Sequence, residues 1–343
     1  MPRISNFSHR SLTGAGITSV TNPWTVSSLH GSWGTNTIND IYWNSTLSHY
    51  IAIGNSGCIA TSSNGSSWTF QGQLSGTAWG TQPVLSIGWD GTQYLIGGGT
   101  NGTTPYLATS PNGATWTLVS TNLATSGWST GPVRSIIHDG FKWVIGGGDY
   151  TSARIANSPD GTSWTNYSNP LGNAWVTTIV RNTANNMYYY GGYVTYCCYS
   201  TDAVLFTADT TLSTAWGGNS FTPYASILDT SSNVFIVGGD SGKLATTSST
   251  ASPNFTNQAG LTSTSWGSNT VRKFIRNSGT FIAVGDSGRV ATSTNGTSWT
   301  YKPLLSSSSW ALNNVNTIAT NGSKFVVGGA NGKIAVSKDT TTI

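Results

Sequence analysis

Seven residues could form a ring of ligand contacts in this 343-residue chain: Trp43, Trp89, His138, Arg181, Asp229, Arg276 and Thr320. Each stands at the end of an apolar run, just before an Asn- or Asp-containing turn. A purely structural position repeated seven times would tend to keep one residue type. Two indoles beside an imidazole, two guanidinium groups and a carboxylate are instead the groups that stack on and hydrogen-bond sugars or peptides. We therefore take Trp43, Trp89, His138, Arg181, Asp229 and Arg276 as candidate ligand-binding residues. A second candidate surface is Tyr193, Tyr196 and Tyr199, clustered around Cys197 and Cys198, which has the composition of an interface hot spot. Catalytic chemistry has little to work with. The eleven acidic residues are all Asp, most of them in turns, and the four His residues are scattered. Cys197 and Cys198 have no neighbouring His for a nucleophilic pair and no second Cys pair for zinc. No catalytic residue, metal site or cofactor is expected.

The elements that must position these residues are repeats. SSNGSSWT, SPNGATWT, SPDGTSWT and STNGTSWT end at Thr69, Thr117, Thr165 and Thr300. Each reads as an Asn-Gly or Asp-Gly hairpin turn followed by Trp and a β-branched residue starting a strand. An aromatic residue with Gly four positions later occurs seven times: Tyr50/Gly54, Tyr94/Gly98, Trp143/Gly147, Tyr188/Gly192, Phe235/Gly239, Phe281/Gly285 and Phe325/Gly329. The apolar residues between them suit strands buried on both faces. Seven further runs, from INDIYWNS to VNTIATNG, read as inner strands. Upstream of each stands a Trp, at 33, 79, 128, 175, 216, 266 and 310, spaced by 41 to 50 residues.

Seven near-equal four-strand units close naturally into a ring, whereas a solenoid would leave two open ends. The expected fold is all-β, a seven-bladed β-propeller with four-stranded blades spanning residues 17–343, preceded by an arm of residues 1–16. The last repeat stops before its box Trp, and TNPWT at residues 21–25 is a shortened copy of the missing piece. The N-terminal strand around Trp24 is thus expected to complete the last blade. The fourth repeat departs most, with a longer hairpin lacking a box Trp, and the fifth carries Phe255 at that position. This sector is the expected place for contacts with another subunit.

Charged residues make up only 8% of the chain, against about a quarter in ordinary domains. The net charge of +4 is unclustered, which argues against nucleic acid. Arg154, Lys243, Arg289 and Lys333 form a basic series at the start of the third strands. No apolar stretch reads as a signal peptide or a membrane span. Few Lys and no Glu beside many Tyr and Trp is the composition of interface cores.

The recurrent S-x-[D/N]-G-x-[S/T]-W resembles the Asp box of bacterial neuraminidases, sortilin-type receptors and the photosystem II assembly factor family. The resemblance implies a propeller, with the box as a fold-stabilising turn away from the ligand. It also implies a test for sialidase activity, since that family uses three arginines, a Tyr nucleophile activated by Glu, and an Asp acid/base. Arginines are present at 134, 154, 181, 272, 276 and 289, but Glu is absent. The expected function is a non-enzymatic binding or assembly propeller, displayed on a particle such as a virus or phage. Its partners would be protein subunits of that assembly or cell-surface glycans. A soluble lectin and an Asp-box glycosidase are the alternatives.

Overall fold

The computed structural model describes residues 22–343 except 75–77, 151, 168–170, 173, 219, 249–251, 260, 262–263, 304, 306–307 and 342. The proposed arm, residues 1–16, lies outside the described residues. Seven four-stranded antiparallel sheets form the blades of a seven-bladed β-propeller. In blade 1 the strands are Ile38–Asn44, His49–Gly54, Cys58–Ser62 and Thr69–Gln73, paired in chain order from the inside outwards. The inner strands of blades 2 to 7 are Val84–Trp89, Val133–His138, Val176–Asn182, Pro223–Asp229, Val271–Asn277 and Val315–Thr320. Blade 7 closes the ring as expected. Its fourth strand is Trp24–Ser28, antiparallel to Lys333–Ser337, with Trp24 opposite Ser337 and Ser28 opposite Lys333.

The core lies between blades rather than within one. Ile51 and Ile53 of blade 1 pack with Trp79, Val84, Ile87, Tyr94 and Ile96, all buried at the blade 1–blade 2 seam. Six of the seven upstream Trp residues are essentially inaccessible wedges in such seams. Trp33, Trp79, Trp128, Trp266 and Trp310 each donate their indole N–H to the carbonyl three residues on, at 2.6–3.1 Å. Those five lie five residues before the first residue of their inner strand. Trp175 does not belong to this series. It immediately precedes Val176, and the buried residue five before that strand is Leu171.

The recurrent aromatic-x-x-x-Gly is explained by close packing. At Gly54, Gly98, Gly147, Gly239, Gly285 and Gly329 an added Cβ would sit 1.9–2.2 Å from the carbonyl oxygen just before the inner strand of the same blade. Only a residue without Cβ lets the second strand pass that oxygen.

The box turn also has a physical account. Ser62 Oγ accepts from Gly65 N at 2.8 Å, Asn64 Oδ1 accepts from Ser66 N and Ser67 N, each at 2.8 Å, and Trp68 Nε1 donates to Gly65 O at 2.8 Å. Contrary to the sequence reading, blade 4 keeps this turn in an ordinary hairpin. Ser200 Oγ accepts from Ala203 N at 2.9 Å, and Asp202 Oδ1 accepts from Val204 N and Leu205 N at 2.8 Å. STDAVLF is therefore a box with Ala203, at φ 58°, for the glycine and half-buried Phe206 for the Trp. Removing that carboxylate strands two backbone donors. Asp202→Ala is expected to cost about 1–2 kcal/mol in chemical denaturation, as loss of a helix N-cap does; an unchanged midpoint would mean the turn carries no stability.

A candidate binding site at the channel mouth

The residues singled out from the sequence lie at the end of the blades where the box turns are. There five of the six pack on the aromatic residue paired with them at the start of the second strand. Trp43 lies 4.6 Å from Tyr50, Trp89 4.5 Å from Tyr94 and His138 4.9 Å from Trp143, between ring centroids. Arg181 and Arg276 lie 5.4 and 5.3 Å from the rings of Tyr188 and Phe281. Asp229 is one residue out of this register. Leu228 stands opposite Phe235, while Asp229 occupies the turn position of Asn44 and accepts from Ser231 N and Ser232 N at 3.0 and 3.1 Å. The structure joins Asp229 and Arg276 in an ion pair at 2.6 Å across the blade 5–blade 6 seam. Trp43 lines a cavity of about 340 Å³ at this end with Thr320, Phe274 and Ile318. The six do not converge on one pocket.

The three tyrosines are likewise separated. Tyr193 is half-buried at the opposite end of the channel, Tyr196 is exposed, and Tyr199 is half-buried on the blade 4–blade 5 seam, 3.3 Å from Ser252 Oγ. Cys197 and Cys198 are buried and unpaired, and burial pushes the Cys197 thiol up to about 12. They are packing residues.

The most built-up site lies at the other mouth. Every inner strand has a β-bulge directly after its first paired residue. A bulge re-aims the side chain it carries. Here the seven bulge residues, Asn39, Leu85, Arg134, Thr177, Tyr224, Arg272 and Asn316, line one cavity of about 250 Å³, together with Trp175. The sequence reading named Arg134 and Arg272 only among the arginines weighed for a sialidase and passed over the other five, because it followed the flanking apolar residues. The usable signal was the variable second position of INDI, VLSI, VRSI, VTTI, VRKF and VNTI.

One wall of this mouth is aromatic. Trp175 stacks on Tyr193 at 4.0 Å and 26°, and Tyr150 meets Trp175 edge-on at 4.4 Å. The Arg134 guanidinium lies 5.1 Å over the Trp175 ring, and its Nη2 donates to Asn101 Oδ1 at 2.9 Å. No carboxylate lies within ion-pair distance of Arg134 among the described residues, and its buried Nε has no partner. Burial pulls its pKa below the ordinary arginine value, while the phenols of Tyr150 and Tyr224 act to raise it. It stays cationic at neutral pH. Arg272 is partly neutralised by Asp286 and lies 6.0 Å from the Tyr224 ring.

Below the mouth, Lys273 Nζ of blade 6 reaches past blade 7 to Asp40 of blade 1, at 2.9 and 3.1 Å from its two oxygens. Asp40 Oδ1 also accepts from Thr317 Oγ1 at 2.7 Å and Ile41 N at 2.9 Å. Asp40 and Lys273 line both the cavity beneath the mouth and the box-end cavity, so this ion pair forms the floor between them. The arrangement presents guanidinium, amide, hydroxyl and aromatic groups at the mouth.

The architecture and the mouth define a seven-bladed β-propeller with a polar, cationic channel opening. No family model matches the chain, and no curated protein matches it in sequence. Solved structures similar to it include YCF48 bound to D1 peptide, at 15% identity and a TM-score of 0.67 over 92% of this chain and 97% of that one. The extracellular domain of the putative one component system BT4673 from B. thetaiotaomicron is similar at 14% identity and a TM-score of 0.69, over 91% of this chain and 39% of that one. The Niastella koreensis GH74 enzyme is similar at 16% identity and a TM-score of 0.65, over 89% and 53%. These likenesses establish the fold.

Proposed function

We propose that the protein is a non-enzymatic binding and assembly propeller whose channel mouth, opposite the box turns, docks an acidic segment of a protein partner. The observation that carries this reading is the bulge ring. One repeated position, aimed into one cavity, holds two arginines, a tyrosine and two asparagines, and Arg134 lacks a carboxylate partner. Cationic and aromatic groups in a recess are the usual anchors of protein interfaces. The similarity to YCF48, solved bound to D1 peptide, supports peptide binding by a propeller of this fold. The non-enzymatic part is supported by the acid inventory. Asp40 is the one acidic residue lining the two mouth cavities, and it is already held by Lys273 and Thr317. The low charge and interface-like composition support a subunit of a larger assembly, such as a virus or phage particle.

The test is fluorescence anisotropy with a labelled Asp/Glu-rich peptide. Binding is expected to weaken with added salt, and Arg134→Ala/Arg272→Ala is expected to weaken it by roughly tenfold or more, because each charged pair contributes on the order of 1 kcal/mol. A soluble lectin would instead retain a glycan on an array and lose it on Trp89→Ala. Peptide affinity indifferent to the two arginines would overturn the proposal.

A further inference from the structure

Six Asn-Gly pairs occur in the chain, at Asn64, Asn101, Asn112, Asn295, Asn321 and Asn331. In five the local geometry protects them from the imide chemistry to which Asn-Gly is prone. In the boxes at Asn64, Asn112 and Asn295 the side-chain oxygen accepts two backbone N–H groups, and the glycine N–H donates to a serine Oγ at 2.8–2.9 Å. Asn321 is held the same way by Ser323 N and Lys324 N, with Gly322 N on Thr320 Oγ1. Gly332, after Asn331, is buried.

Asn101 differs at the nucleophile, the glycine nitrogen, and in the donor on its side-chain oxygen. It and Gly102 are exposed, Gly102 has φ +77° with open space around it, and its N–H donates to nothing among the described residues. The Asn101 side-chain oxygen accepts from Arg134 Nη2 at 2.9 Å. A guanidinium donor on an amide oxygen polarises the carbonyl and stabilises the oxyanion that forms when a nucleophile adds to it.

We propose that Asn101-Gly102 is a self-modifying backbone site at the channel mouth, with Arg134 as its electrophilic activator. The Gly102 backbone nitrogen gives its proton to water and forms a bond to Asn101 Cγ. The tetrahedral intermediate, its oxygen held by Arg134, expels the side-chain nitrogen as ammonia, which takes a proton from water. The resulting five-membered imide is opened by one water, breaking either of its C–N bonds and leaving aspartate or isoaspartate. The product is a carboxylate beside Arg134. It converts a cation without an acidic partner into an ion pair, so the change turns down the mouth's capacity for an acidic ligand. That consequence rests on the function proposed above; the chemistry does not.

Peptide mapping by mass spectrometry of the folded protein during incubation in mildly alkaline buffer tests it, with a urea-unfolded sample alongside. Amide-to-acid conversion at Asn101 is expected to outpace each of the other five sites by more than about tenfold in the folded protein, a modest barrier difference. Arg134→Ala is expected to slow conversion at Asn101 in the folded protein and leave the unfolded rate alone. Arg134→Lys, which keeps a cation, should give an intermediate rate. Conversion at Asn101 no faster than at the boxes, or insensitive to Arg134, would overturn the proposal. The consequence is read separately: Asn101→Asp should weaken binding of the acidic peptide by roughly the factor lost in Arg134→Ala. If Asn101 converts as expected while Asn101→Asp binds the peptide like wild type, the mouth is not the acidic-segment site and the modification stands alone.

Discussion

Replacing Trp24 with Ala is expected to lower the unfolding free energy by about 3–5 kcal/mol, the usual cost of emptying a buried Trp site. Deleting residues 1–28 is expected to abolish a single cooperative thermal transition. Trp24 is 6% exposed and belongs to the buried cluster that holds Ile282 and Val284 of blade 6 with Phe325, Val327 and Ala335 of blade 7, in the seam between the last two blades. Its strand pairs over five residues with Lys333–Ser337, and two further bonds extend the pairing, Lys338 N to Pro23 O at 2.7 Å and Leu29 N to Gly332 O at 3.1 Å. Without this strand, blade 7 would end on an unpaired edge and the ring would lose the pairing that ties the N-terminal strand into the last blade. Calorimetry of the truncated chain decides the matter. A transition as sharp and as high as that of the full chain would mean that the seams alone hold the ring.

Gly285→Ala should be nearly as damaging, at about 3 kcal/mol or more, the upper range for forcing extra volume into a packed core. An ideal Cβ at Gly285 would lie 2.0 Å from the Thr270 carbonyl oxygen and 2.7 Å from Cζ2 of Trp266. Neither neighbour can yield cheaply, because the carbonyl leads into the inner strand and the indole is a fully buried wedge. The backbone at Gly285, with φ −169°, is ordinary extended strand. Space is therefore what demands glycine here. Gly31→Ala is the control: nothing lies within 4 Å of its Cβ, its φ is not in the left-handed range, and its effect should stay within about 0.5 kcal/mol. Equal destabilisation by the two substitutions would sink the packing explanation.

The sequence by itself determined the blades, their number and the closure, because those features are written in local chemistry that recurs. A serine two residues before Asn or Asp, a glycine at positive φ and an aromatic ring build the same turn wherever they occur, and TNPWT marked the missing strand without knowledge of its partner. Even the blade 4 turn was encoded in STDAVLF; it escaped notice because Ala203 and Phe206 stand where Gly and Trp were sought. Tertiary structure decided which side chains meet. In a strand one residue of register reverses the side-chain direction, and the slip between Leu228 and Asp229 separated a packing position from a turn cap. Trp175 matched the Trp spacing in sequence, yet its place beside Val176 puts it at the channel mouth against Arg134 and Tyr193 rather than in a seam. The bulges had the largest consequence. An extra residue in each inner strand breaks the alternation that sequence patterns follow, and the residues it turns toward the axis come from seven blades up to 277 positions apart, Asn39 to Asn316. Only closing the ring brings them to one cavity.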